Sequence, residues 1–326
     1  MHQVLTPKVS VIILSYNAKN DFLDCLESVL TSNRLNCEII VVDNGSTDEC
    51  WEALKRTQER YPFLKLVRSE LNLGRTGGYN LGLKYVNGEY VLFLDQDTII
   101  DKNMISELAK VLETDRVIGA VGPKIFYHSD PHQIWSVGGS VSLLTGRASG
   151  KGKDEVDRGQ FNLVTDVQEH PAAILVKHEV IKRIGGYNSY DKDIFMVYCD
   201  PDFCLKIWEA GYKIKLSPRA KLWHKVKKPT KLSEALGMKS PLMAFLSARN
   251  RIIFMKKHAP RENFLLFFTL FLPMYSIIYS FIPILEMRFD LCSAFWRGTI
   301  NGIKFAIFGK KSVTDVYAFA KRIESQ

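Results

Sequence analysis

The chain has 326 residues, of which 46% are hydrophobic and 11% aromatic. That is enough for one large domain or two ordinary ones, and it excludes a disordered or fibrous protein. The formal net charge is +9, unevenly spread. The six cysteines form no C-x-x-C pair and read as reduced, mostly buried thiols of a cytosolic compartment.

The opening MHQVLTPKVS has no apolar h-region, so no signal peptide is expected. Residues 9–14 (VSVIIL) are continuously apolar and β-branched, the pattern of a buried parallel strand. Residues 20–30 carry Phe22, Leu23, Leu26, Val29 and Leu30 at helical spacing. A second buried strand, EIIVV at 38–42, runs into DNGSTD, and residues 48–60 read as a helix. A strand at 64–67, a short helix at 78–85 and a strand at 90–94 follow. Residues 102–112 read as helix and 117–121 as strand.

This alternation predicts βαβ units on a mostly parallel sheet flanked by helices. In such sheets ligands bind beyond the carboxyl ends of the strands. The polar motifs fall at those ends: Ser15-Tyr16-Asn17, Asp43-Asn44 and Asp95-Gln96-Asp97.

Residues 130–166 are Gly-rich and charged and read as a hairpin with a flexible tip. Strand and helix resume at PAAILVKHEVIKRIGGYN, and residues 202–210 form a helix stopped by Gly211. From residue 219 to 261 the chain is basic, with Arg249 and Arg251 among its cations and Glu234 as the acid inside the run. The uncharged segment 264–285 follows directly. Its roughly 22 residues suffice to cross a bilayer, although Pro273 and Pro283 also allow shorter helices lying in the interface. The basic block suits an anionic cytoplasmic face in either case. The remaining tail has an amphipathic-helix pattern. No nucleic-acid module accompanies the lysines, so nucleic acid is not an expected partner.

Three motifs carry chemistry. In LFLDQDT, two like charges at a strand end resist joint ionisation unless a positive group sits with them. Their hard oxygens suit Mg²⁺ or Mn²⁺, ions that keep substrate phosphates as remaining ligands; a solvated turn capped by Asp97 is the alternative. In DNGSTD, Asp43 can accept a hydrogen bond from a pyrimidine ring N–H, while Asn44-Gly45 turns the chain. In NLGRTGGYNLGL, the helix N-terminus and Arg75 favour an anion, and the glycines equally suit tight helix–sheet packing.

Taken together, VSVIILSYN, EIIVVDNGSTD, NLGRTGGYNLGL, LFLDQDT and residues 185–224 (GGYNSYDKDIFMVYCDPDFCLKIWEAGYKIKLSPRAKLWH) resemble the inverting glycosyltransferases of family 2, and rhamnosyltransferase-like members in particular. The resemblance implies a nucleotide-diphospho-sugar transferase (GT-A) fold over residues 1–225 and a membrane-associated helical region over 226–326. It implies that Ser15, Tyr16, Asn17, Asp43, Asn44, Gly74, Arg75, Gly78, Asn80 and Asp95 bind the nucleotide, with Tyr16 and Asp43 at the base. Asp97 and His224 would hold Mn²⁺ or Mg²⁺. Asp200 would be the catalytic base, with Asp202 the alternative. Asp200-Pro201 also reads as an N-cap followed by proline at the first helical position. Cys199 stands where the family usually has glutamate. That departure leaves open a catalytically impaired nucleotide-sugar-binding or scaffold protein. The expected partners are a UDP- or dTDP-sugar donor, a lipid-linked or saccharide acceptor and an anionic membrane surface, at the cytoplasmic face of the cell membrane.

Overall fold

The computed structural model describes residues 8–33 and 36–309, with positions 316 and 320 beyond them. The first seven residues, where no h-region was expected, and most of the last part of the tail lie outside the described residues. The chain divides into two compact units. The first comprises Met1–Ser140, Ser149–Lys192 and Phe203–Val226; the second comprises Val141–Ala148, Asp193–Asp202 and Lys227–Gln326.

In chain order the elements begin β1 (Val9–Ser15), α1 (Lys19–Leu30), β2 (Cys37–Asp43), α2 (Cys50–Arg60), β3 (Lys65–Arg68), α3 (Gly74–Gly82) and β4 (Tyr90–Asp95). They continue β5 (Thr98–Ile100), α4 (Met104–Leu112), β6 (Ile118–Tyr127), β7 (Asp130–Ser136), β8 (Gly139–Val141), β9 (Ala148–Gly150) and β10 (Thr165–Asp166). Then come β11 (Ala173–Lys177), α5 (His178–Arg183), α6 (Cys199–Glu209) and β12 (Lys213–His224). The main sheet has the order β10-β12-β6-β11-β4-β1-β2-β3, with β5 also on β12 and β7 on β6.

This is a GT-A-like α/β fold, but the sheet is mixed rather than mostly parallel. The run β4-β1-β2-β3 is parallel. Strand β11 is antiparallel to both β4 and β6. The stretch 130–166 supplies β7, paired with β6, and the β8–β9 hairpin, and the expected strand at 117–121 is the first half of the ten-residue β6.

The core forms where the apolar runs said it would. Every residue of β1 is buried, and α1 lays Phe22, Cys25, Leu26 and Val29 against the sheet. Helix α3 reaches the other face through missing side chains. A Cβ on Gly78 would fall 2.3 Å from Leu14 Cδ1, and one on Gly82 would fall 2.7 Å from Ile12 Cγ2. Close helix–sheet packing is therefore what these glycines do.

The second unit is helical. It holds α7 (Leu232–Ala235), α8 (Pro241–His258), α9 (Arg261–Leu266), α10 (Leu272–Leu285) and α11 (Phe289–Phe308). Helices α9 and α10 join through a π-helical turn at Phe267–Phe271 into one 25-residue helix, Arg261–Leu285. Among the described residues it is the one helix long and apolar enough to cross a membrane.

Helix α8 was hidden inside the basic run. Ser240 caps it by accepting from Met243 N, with Pro241 at its start. Arg249 and Arg251, read from sequence as cations facing a membrane, are buried.

Candidate active site

Three carboxyl strand ends meet at one rim of the sheet. In the register of β1, Ser15 lies opposite Asp43 of β2, and Leu14 lies opposite Asp95 of β4. Asp43 and Asp95 thus flank the end of β1, two strand spacings or about 10 Å apart by backbone.

The charge of Asp95 is answered inside the chain. Arg75 donates Nε to Oδ1 at 2.8 Å and Nη2 to Oδ2 at 3.2 Å. The buried Tyr79 hydroxyl donates to Oδ1 at 2.8 Å. Such a fork fixes a carboxylate in direction as well as charge. Arg75 thus gives Asp95 a positive partner of the kind the D-x-D motif calls for.

Asp97 has a different partner. Strands β5 and β12 pair antiparallel with Thr98 opposite His224, which brings His224 Nε2 to 3.1 Å from Asp97 Oδ1. Burial opposes ionisation of Asp97, yet the hydrogen bond and charge of His224 hold its carboxyl below the usual range. Trp135 meets the His224 ring edge-on at 4.5 Å. The other ring nitrogen, Nδ1, is buried without a hydrogen-bond partner.

Carboxylate plus imidazole is a donor set that suits Mn²⁺ and is acceptable to Mg²⁺. Among the described residues no group of three or more His, Cys, Asp or Glu side chains could hold a metal. Asp97 and His224 would leave the other positions of such an ion to phosphate oxygens and water. The residues fit the group on those terms.

Asp43 is fully buried. Its Oδ1 accepts from Ser46 N at 3.2 Å. Its Oδ2 faces Arg68 Nε at 3.2 Å without hydrogen-bond alignment. Burial pushes the Asp43 carboxyl up, against the Ser46 hydrogen bonds and the Arg68 charge.

Several residues expected at the nucleotide also tie the rim loops together. Asn17, at φ +46, accepts from Thr47 N at 2.8 Å. Asn44 donates to Gly74 O and Asn72 Oδ1 and accepts from Leu73 N. Asn80 exchanges hydrogen bonds with the Tyr190 backbone at 2.7 and 3.1 Å. Ser15 Oγ hydrogen-bonds with Cys50 Sγ. Gly74 opens α3 at φ +66. Both polar ends of the Asn44 and Asn80 amides, and the Asn17 side-chain oxygen, thus have partners within the chain. Sequence reading missed Gln96, which holds the Tyr16 backbone, and Tyr79, which holds Asp95.

Asp200 and Asp202 lie in the first turn of α6, which starts at Cys199. Asp200 is therefore inside the helix rather than its N-cap, a correction to the capping reading. Both belong to the second unit. Asp200 is half-buried. Asp202 is fully buried, with Oδ1 at 2.8 Å from His258 Nε2, an arrangement that suits a structural pair better than a base. Cys199 is buried.

The loop ahead of Asp200 is strained: Phe195, Val197 and Tyr198 all have positive φ, at +63, +39 and +73. Helix α8 holds it. Asn250 Nδ2 donates towards the Ile194, Met196 and Val197 carbonyls at 2.7 to 2.9 Å. Arg249 donates to the Asp193 carbonyl. Arg251 donates Nε to Tyr198 Oη at 2.9 Å and Nη2 to Tyr279 Oη at 3.1 Å.

The chain belongs to glycosyl transferase family 2, whose model matches residues 10–181. It is 39% identical over 111 residues to the uncharacterized glycosyltransferase YibD of Escherichia coli, covering 34% of this chain and 32% of that one. It is 32% identical over 109 residues to the Escherichia coli UDP-Glc:alpha-D-GlcNAc-diphosphoundecaprenol beta-1,3-glucosyltransferase WfaP, covering 33% and 43%. The matches thus span well under half the length of these relatives. In fold it is similar to mannosyltransferase PcManGT from Pyrobaculum calidifontis, solved in complex with GDP-Man and Mn²⁺. That likeness has a TM-score of 0.54 at 18% identity and covers 99% of this chain and 85% of that one.

Proposed function

We propose that the protein is a metal-dependent inverting glycosyltransferase. It moves a sugar from a UDP- or dTDP-sugar to a hydroxyl of a lipid-linked saccharide at the cytoplasmic face of the membrane, in cell-surface glycan synthesis. The observation that carries this reading is the Asp97–His224 pair beside an Arg75-clamped Asp95 at the rim that also holds Asp43. Family membership and the Mn²⁺ in the PcManGT complex support it.

In this reading Asp43 accepts the N–H of the nucleobase, and Tyr16 packs on the ring. Asp95 is held rigid by Arg75 and Tyr79 and orients the donor. Asp97 and His224 would hold Mn²⁺ or Mg²⁺, which would supply positive charge against the departing diphosphate. Asp200 takes the proton of the acceptor hydroxyl as that oxygen attacks the anomeric carbon from the face opposite the leaving group. A placed base of this kind contributes on the order of 10²–10⁴-fold. The apolar helix Arg261–Leu285 and the diphosphoundecaprenol-linked substrate of WfaP support the lipid-linked acceptor.

The test is a panel of nucleotide sugars scored for Mn²⁺-dependent release of nucleoside diphosphate. A rhamnosyl donor belongs in the panel, because residues 185–224 resemble rhamnosyltransferase-like members. Turnover of one donor that is lost with Asp97→Asn is the expected result. No turnover of any donor, with or without Mn²⁺ or Mg²⁺, would overturn the reading.

A further inference from the structure

The helix Arg261–Leu285 passes the length and composition test for a membrane span, yet the second unit already uses one of its faces. Leu272, Ser276, Tyr279 and Pro283 form a buried stripe at helical spacing. Tyr279 stacks on Phe295 of α11 at 5.5 Å and accepts a hydrogen bond from the buried Arg251. A helix crossing the bilayer would have to carry that guanidinium into hydrocarbon or give up its contacts, and either is costly.

The opposite face is open. Only 22% of the helix's most apolar window is buried, and Leu270, Met274, Ile277, Phe281 and Leu285 are all exposed. After a three-residue turn α11 repeats the design. Its Gly298 and Gly302 face α8 so closely that a Cβ on Gly298 would sit 2.2 Å from Phe245 O. Its outward face shows Trp296, Ile300 and Ile307, with Arg297 and Lys304 exposed between them. Cations also border the first helix: Lys256 lies over the Phe264 ring at 5.2 Å, and Lys257 and Arg261 are exposed. An apolar face with aromatic residues and a basic border is the pattern of a helix lying in the plane of an anionic bilayer surface.

We propose that Arg261–Leu285 and α11 together insert in-plane into one leaflet of an anionic membrane, without crossing it. The occupant of this face is the lipid surface itself. The inference rests on the glycosyltransferase reading only for its purpose, a lipid-borne acceptor; its geometry is independent.

The experiment uses the full chain with vesicles of phosphatidylglycerol and phosphatidylcholine, against phosphatidylcholine alone. Binding is expected to the anionic vesicles, to weaken with salt and to be released by alkaline carbonate. Ile277→Glu and Ile300→Glu each remove one exposed apolar contact and add a charge. Each should cut vesicle partitioning at least about tenfold while leaving the melting temperature unchanged. Quenching of Trp296, read against Trp296→Phe, should be stronger for lipids brominated near the headgroup than near the chain end.

Retention in the membrane pellet after carbonate would overturn the proposal in favour of a span. Wild-type binding by Ile300→Glu would remove α11 from the surface. A vesicle-independent oligomer dissolved by either variant would assign the face to a second copy of the chain. Donor turnover in solution is scored in parallel, so a failure here is separable from failure of the glycosyltransferase reading.

Discussion

Gln96, the middle residue of the D-x-D stretch, holds the peptide of Tyr16 at both ends: Tyr16 N donates to Gln96 Oε1 at 2.7 Å, and Gln96 Nε2 donates to Tyr16 O at 3.1 Å. The residue between the two acids thereby sets the loop proposed to receive the base. Gln96→Glu would turn a donor into an acceptor facing a carbonyl and add a third negative charge between Asp95 and Asp97. Loss of a hydrogen bond and creation of a half-buried mismatch cost about 1–3 kcal/mol. The expected result is a donor KM raised at least tenfold with a smaller change in kcat, read from initial rates over a donor titration.

Arg75 and Asp95 form a unit, and breaking it from one side is worse than from both. Arg75→Ala leaves Asp95 charged beside Asp97 and should abolish measurable donor binding by calorimetry. Arg75→Lys cannot reproduce the two-nitrogen fork and should weaken binding about tenfold or more, by the 1.5–3 kcal/mol of a charged hydrogen bond.

The two acids of the α6 first turn should separate cleanly. Asp200→Asn is expected to lower transfer by roughly 10²–10⁴-fold with donor affinity and melting temperature intact. Asp202→Asn disturbs a buried pair with His258 and should lower the melting temperature first. Normal transfer by Asp200→Asn would remove it as the base.

Asn250 carries the loop that leads to Asp200. Asn250→Asp replaces its donating amide with a carboxylate facing three carbonyls, while Asn250→Ala merely deletes the donors. Both should reduce kcat, the aspartate more severely, and each should cost about 1–3 kcal/mol or more of stability in denaturant titrations.

His170 gives a pH signature in the fold itself. It is buried with its ring against Gly122, and burial pushes its pKa down to about 4 from an ordinary 6.5. The unfolded chain therefore takes up a proton between those values that the folded chain refuses. Stability is full above pH 6.5 and falls as pH drops towards 4, by at most roughly 3 kcal/mol. His170→Gln should flatten that part of the profile of melting temperature against pH.

Continuous apolar runs made β1, β2 and β4 readable in one dimension, and the acids at their ends followed. What stayed hidden was non-local. Asp97 and His224 meet only because a three-residue strand, β5, pairs with β12, and nothing in the intervening sequence announces that register. The basic stretch misled for a different reason. Charge normally means solvent, but Arg249, Asn250 and Arg251 face inward because the carbonyls of a strained loop and two tyrosine hydroxyls receive them. The Ser240-Pro241 start of α8 was visible and would have marked a helix through that run. At α3 Gly78 and Gly82 pack the helix onto the sheet, one of the two readings the sequence left open.

The single guanidinium of Arg251 is shared between Tyr198, two residues ahead of Asp200, and Tyr279, on the apolar helix. Neither tyrosine can shift without the other's anchor being disturbed. Detergent wrapped around that helix is thus also a chemical perturbation of the segment supporting the proposed base. Rates collected in micelles and in bilayers should be compared as those of two differently tensioned enzymes.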